Sequence, residues 1–189
     1  IDQLFLNGWM DLRGKLIPEK SPLIRSIDGM AAAEYAPGLL FYQSDVDEFL
    51  KTKAAACTMV EYMLKESGIP MEEIAKFYVA GAFGKHVSKE SAVTIGLYPD
   101  MERNRIIHAG NASLEGAKKL LLCRELLGEI GEILEKMVYI QFGAVEEFLH
   151  LMVAAQAIPH TDLERYPSVK AKLEGRFQDK PCICPPVSN

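Results

Sequence analysis

The sequence predicts a layered α/β domain with a central mixed sheet covered by helices, and three observations carry that prediction. Short apolar runs of strand length alternate with longer segments whose apolar residues recur at helical spacing. Two of the runs, Phe77-Tyr78-Val79-Ala80 and Arg105-Ile106-Ile107-His108-Ala109, end in glycine and open a helical pattern. The chain has 189 residues, 49% hydrophobic and 25% charged, enough for a globular core.

Residues 2–12 read as a short amphipathic helix closed by Arg13-Gly14, and residues 15–36, rich in Pro, Ser and Gly, as a loop with one or two short strands. Leu39 to Tyr42 is a further strand. Ser44 then offers an N-cap, Asp45 and Asp47 put negative charge in the first turn, and Val46, Phe49, Leu50, Lys53, Ala54, Cys57, Val60 and Leu64 follow a helical period up to Ser67-Gly68. Pro70 to Ile74 gives one helical turn, and Lys76 to Ala80 a short buried strand. Ser88 caps a helix through Ile95, closed at Gly96 and Pro99. After the strand from Arg105 to Ala109 come a helix from Asn111 to about Leu127, a weaker one to Lys136, a strand-like run from Val138 to Phe142, and a helix from Gly143 to Ala157. The domain reading is therefore a lobe over residues 1–159, followed over 160–189 by a polar tail that contains Pro and Cys and lacks periodicity.

The loops after the two glycine-ended strands are the candidate binding elements. They contain Gly81, Ala82, Phe83 and Gly84, and Gly110, Asn111 and Gly116. A strand that feeds a helix through glycine leaves backbone N–H groups free at a positive helix end and removes the side chain that would hold a flat ligand away. The same glycines would also serve simple packing. Neither loop is a dinucleotide-binding or phosphate-loop fingerprint. Their shared pattern places both helix starts at the same sheet edge, with the two strands side by side.

A formal net charge of -5 without a basic block speaks against nucleic-acid binding. No apolar run is long enough to span a membrane and no secretory leader is visible, so a cytoplasmic location is expected. Cys57 and Cys123 read as small core residues, and Cys182 and Cys184 as part of a proline-rich extended end that binds no cluster by itself. No metal ligands and no catalytic residue are assigned. A first residue of Ile within an amphipathic run reads as a piece of a larger protein.

In order along the chain, Gln43-x-Asp45-Val46 with Lys51-x-Lys53-Ala54-Ala55, Val79-Ala80-Gly81-Ala82-Phe83-Gly84, Ile95-Gly96-Leu97-x-Pro99 and Gly110-Asn111-Ala112-Ser113-Leu114-x-Gly116-Ala117 resemble the C-terminal domain of the reductive activators of corrinoid proteins. That family belongs to the superfamily of acetate and sugar kinases, heat-shock ATPases and actin. The resemblance implies an actin-like ATPase lobe, with Gly81 to Gly84 as the adenosine loop and Gly110 to Ala117 lining the adenine side. Lys51 and Lys53 would reach phosphate or remain solvated on an exposed face. Asp45 would hold a magnesium-bound water or cap its helix. In the full-length protein the resemblance implies ATP or ADP with Mg, and an iron–sulfur cluster outside this fragment. The implied partner is a corrinoid methyl-carrier protein, returned from Co(II) to Co(I) by an ATP-driven step. Two other readings use the same fold: an interaction or homodimerisation module, and half of a small-molecule kinase.

Overall fold

The structure, a computed structural model, describes residues 1–178. After α1 (Asp2–Leu6), β1 (Ile24–Ile27), β2 (Met30–Ala36) and β3 (Leu39–Tyr42) form an antiparallel sheet in that order. The β1–β2 pairing runs from Ile24 opposite Ala33 to Ile27 opposite Met30, which leaves Asp28 and Gly29 as a two-residue turn with φ of 50° and 80°. Positive φ at both positions suits the right-handed twist of a hairpin, and Asp-Gly is the dipeptide that tolerates it. The long helix α2 (Gln43–Ser67) follows directly, and Asp45 accepts a hydrogen bond from the Tyr42 amide at 2.8 Å. Capping therefore occupies one oxygen of Asp45.

Beyond α2, β4 (Phe77–Ala80) and β5 (Ile106–Gly110) form a separate two-stranded parallel sheet. Between them lie α3 (Gly81–His86) and α4 (Lys89–Thr94), the latter capped by Ser88, whose hydroxyl accepts from the Ser91 amide at 3.0 Å. The chain continues through α5 (Ala112–Leu122), α6 (Leu126–Lys136), α7 (Glu146–Ala155) and α8 (Pro167–Gln178). The main core joins Phe5, Met10, Leu16, Ile24, Val46 and Leu50 to Val93, Tyr98, Ile106, Ile158 and Val169. Burying such side chains supplies the main drive for folding. No helix among the described residues is long and apolar enough to cross a membrane.

Several expectations are corrected. The first helix ends at Leu6 because the chain turns there, with the Gly8 amide bonded to the Phe5 carbonyl and Trp9 to Leu4, and Met10 then bridges Leu16. Strand β4 is alternately half-buried and exposed rather than buried, because one of its faces is uncovered. Cys123 is not in the core: it breaks the helical run between α5 and α6, and its thiol donates to Glu125 at 2.9 Å. Val138 to Gln141 is no strand, since no neighbouring strand offers it a ladder, and Val138 and Tyr139 are exposed.

The aperiodic stretch after Pro159 contains α8, with Tyr166 and Val169 buried. Polar bonds to the α4–β5 connection order it, which no apolar stripe could announce. Asp100 accepts from the amide and hydroxyl of Ser168, each at 2.7 Å, and Arg103 bonds Asp100 at 3.0 Å and Glu90 at 2.7 Å. Lys172 of α8 also pairs with Glu90. Cys182 and Cys184 lie outside the described residues.

Lys53, expected on an exposed face, is fully buried. Its ammonium donates to the carbonyls of Ala155 at 2.5 Å, Ala157 at 2.7 Å and Pro159 at 2.5 Å. These carbonyls lie at and just beyond the C-terminus of α7, where acceptors lack helical partners and a cation is favoured. Burial pushes the Lys53 pKa down to about 8, so the group is still protonated at pH 7 and keeps three donors. Gly96 packs against the same turn with φ +75°, and a Cβ there would lie 2.0 Å from the Pro159 carbonyl oxygen.

Lys53→Met keeps most of the buried volume but removes all three donors. The expected loss is about 3 kcal/mol, from stranded buried carbonyls, and it should appear in urea unfolding as a lower midpoint at unchanged slope. Acid should loosen α8. Hydrogen bonds from Arg103 and then Lys172 hold the Glu90 carboxyl at about 2, below its ordinary 4.5. Its contribution is complete above pH 4.5 and is lost as pH falls toward 2, so Glu90→Gln should flatten the melting temperature across that window.

Candidate functional site

The parallel pairing of β4 and β5 sets the two glycine loops beside each other. Phe77 lies opposite Ile106, Tyr78 opposite Ile107, Val79 opposite His108, and, after an irregularity, Ala80 opposite Gly110. Both strands thus end at one edge, and both lead into helices there. Gly81 has φ +80° and Gly110 φ +64°, a left-handed conformation that L side chains adopt only at a cost. A Cβ at either would meet nothing within 4 Å. Packing therefore does not explain these two glycines, whereas backbone conformation and open space do.

Three of their four chain neighbours are alanines, Ala80 and Ala82 around Gly81 and Ala109 before Gly110. Ala80, Ala82, Ala109 and Ala112 are all exposed, and together with Gly81 and Gly110 they make a ledge from which few side-chain atoms project. Asn111 is the polar exception. Its side-chain oxygen caps α5 by accepting from the Leu114 amide at 3.1 Å, which leaves the amide nitrogen of that side chain as a donor at the ledge. Gly116 lies one turn into α5, exposed, with nothing within 4 Å of a built Cβ. In an exposed helix interior glycine is a poor choice for stability, so its presence asks for another reason.

Gly84 differs from the other three. It is buried, and a Cβ there would fall 2.6 Å from the Val79 carbonyl oxygen, so this glycine lets α3 press against the strand that precedes it. The Phe83 side chain is not among those described. Lys53 is committed to the α7 turn and Lys51 pairs with Glu48 at 2.6 Å on the surface. Sequence reasoning missed the clamp at the start of α2: Gln43 accepts from the Leu16 amide and donates to the Gly14 carbonyl and to Asp47, each at 2.8 Å. A glutamine at a helix start is a common enough residue that only the tertiary contacts reveal this use. Among the described residues no group of three or more His, Cys, Asp or Glu could hold a metal ion.

The comparisons with known proteins agree with one another. The chain is 32% identical over 128 residues to the [Co(II) methylated amine-specific corrinoid protein] reductase of Methanosarcina barkeri, covering 68% of this chain and 23% of that protein. It is 28% identical over 111 residues to the corrinoid activation enzyme RamQ of Eubacterium limosum, covering 59% of this chain and 19% of that protein. The chain thus spans less than a quarter of the length of these relatives. Its fold is similar to a solved reductive activator for corrinoid, iron-sulfur protein, with a TM-score of 0.79 and 33% identity over 89% of this chain and 28% of that one. Residues 1–170 match the family described as the C-terminal domain of RACo, the ASKHA domain, and the chain belongs to that family.

Proposed function

We propose that this chain is the adenosine-side lobe of an ATP-dependent reductive activator, which returns inactive Co(II) corrinoid methyl-carrier proteins to Co(I). The observation that carries the reading is the ledge at the ends of β4 and β5, where Gly81 and Gly110 adopt left-handed backbone with open space above them. The membership of the chain in an ASKHA-domain family and the names of its relatives support it.

An adenine ring needs a flat approach to the backbone and a few hydrogen-bond donors at its edge. Gly81, Ala82, Gly110 and Gly116 give the approach, and the Asn111 amide nitrogen gives a donor. Gly84 contributes indirectly, by fixing α3 against β4 so that Gly81 stays in register with Gly110. Bound ATP, with Mg, would supply the energy of hydrolysis. A lobe that binds ATP and ADP differently can bias the affinity of the whole protein for the inactive carrier, because only differential binding shifts an equilibrium. An iron–sulfur cluster does not fit the described residues: their two cysteines are the buried Cys57 and the α5–α6 Cys123, and the usual cluster needs four thiolates.

A second reading, an interaction or dimerisation module, is favoured by the apolar side chains that α5 and α6 leave exposed, Leu121, Leu122, Leu127 and Leu134 among them. The two readings separate at Gly116. In the full-length protein Gly116→Ala should stabilise the fold by about 0.5–1 kcal/mol through helix propensity, yet weaken ATP and ADP at least fivefold in calorimetric titration. Unchanged nucleotide affinity with the same gain in stability would remove α5 from the site. Gly81→Val should abolish nucleotide binding while the protein still melts cooperatively. Gly84→Ala, by contrast, should lower the melting temperature by several degrees through its clash with Val79. If the full-length wild type binds neither nucleotide, the interaction module stands instead.

A further inference from the structure

Two hollows adjoin the chain that leads into and through α8. One, a cavity of about 540 Å³ beside Tyr98, lies between α2 and residues 164–167. The other is an open groove of about 630 Å³ between residues 5–13 and α8, floored by Phe5, Met10, Leu12, Leu163 and Leu173. We propose that residues 179–189 of this chain occupy the groove and shield the thiols of Cys182 and Cys184.

The place where α8 ends carries the first part of the argument. Lys170, Leu173 and Glu174 recur on one face of that helix and form a wall of the groove. The described chain stops at Gln178, four residues and about 6 Å of helix beyond Glu174. Eleven residues follow, up to about 36 Å when extended, enough to turn back and run the length of that wall. A tether this short keeps them near the groove at an effective concentration on the order of millimolar, so weak contacts suffice.

The chemistry of the two surfaces carries the second part. Leu12 is 46% exposed and Leu163 and Leu173 are half-buried, so the empty groove leaves apolar surface in water. Residues 181–187 carry no charge and supply Ile183 and Val187 to cover it. Pro181, Pro185 and Pro186 have no N–H, which suits a floor that offers few acceptors, and proline has less backbone freedom to lose on docking. The rim matches as well. Lys170 pairs with Glu164, which leaves Arg13 and Glu174 without a salt bridge among the described residues, and residues 179–189 begin with one charge of each sign, Asp179 and Lys180.

The test is alkylation of individual thiols in the full-length protein by iodoacetamide, read by peptide mass spectrometry. Cys182 and Cys184 should react about tenfold more slowly than in a free peptide of residues 179–189, at a rate that does not change with protein concentration. Leu12→Asp puts a charge into the groove at a position exposed enough to keep the fold, and Ile183→Asp does the same from the opposite side. Each should bring both thiols to the rate of the peptide, while the buried Cys57 stays unreactive and reports an intact fold. If Leu12→Asp lowers the melting temperature, Leu12→Gln takes its place. Wild-type thiols that react at the peptide rate would overturn the proposal. So would protection that survives the substitution at Leu12, the sign of another cover, or that grows with protein concentration, the sign of a second copy.

Discussion

The Lys53 ammonium, buried against the carbonyls of Ala155, Ala157 and Pro159, is the interaction on which the arrangement of the second half depends. A charge removed from water is tolerated only when hydrogen bonds replace its hydration, and these three acceptors do so. The Ala155 carbonyl is an acceptor that α7 would otherwise strand at its C-terminus, and those of Ala157 and Pro159 belong to the turn that follows. One side chain therefore meets two needs at once, and it fixes the angle at which α7 lies on α2, where Ala54, Cys57 and Ala155 form a small second core. The same turn packs on Gly96, so the α4–β5 connection is located by it too.

From that point a second, polar layer continues toward the C-terminus. Asp100, Arg103 and Ser168 bond one another, and Glu90 joins Arg103 to Lys172. Glu90 is exposed and Arg103 and Lys172 are half-buried, so each ion pair by itself contributes little. Their value lies in geometry, since Asp100 is nearly buried and receives three of the bonds, and this brings Tyr166 and Val169 into the core. The cavity beside Tyr98 is a product of the same construction. The chain enters α8 at an orientation set by Asp100, and the space left beneath it is walled by Glu61, Glu72 and Arg165.

The glycines show how one residue type serves different ends. Gly84 and Gly96 are where a backbone passes too close for any Cβ, the carbonyls of Val79 and Pro159 being the obstacles. Gly81, Gly110 and Gly116 face open space, and the first two have left-handed backbone. A close-packed glycine is accounted for by the fold alone. Gly81 and Gly110 are accounted for by their left-handed backbone, and the open space above them is where the proposed nucleotide contact would lie.

Much of the fold is legible in the chain by itself. Apolar period marks the body of α2, its end at Ser67-Gly68 and the strands read at 39–42 and 76–80, whereas the start of α2 is set by Tyr42 and Asp45 rather than by the expected Ser44 cap. The glycine-ended strands also announce that Gly81 and Gly110 share an edge, since parallel strands that each feed a helix must align their ends. Tertiary structure alone decided the rest. Whether Lys53 was a surface charge or a buried clamp depended on carbonyls about a hundred residues away. Whether Gly84 was like Gly81 depended on a strand carbonyl that only folding brings near, and whether residues after Pro159 had structure depended on Asp100 and Arg103. Period and composition report what a residue does to its neighbours in the chain; they carry no record of hydrogen bonds whose partners are distant in sequence, and those bonds shape both the ledge and the cavity.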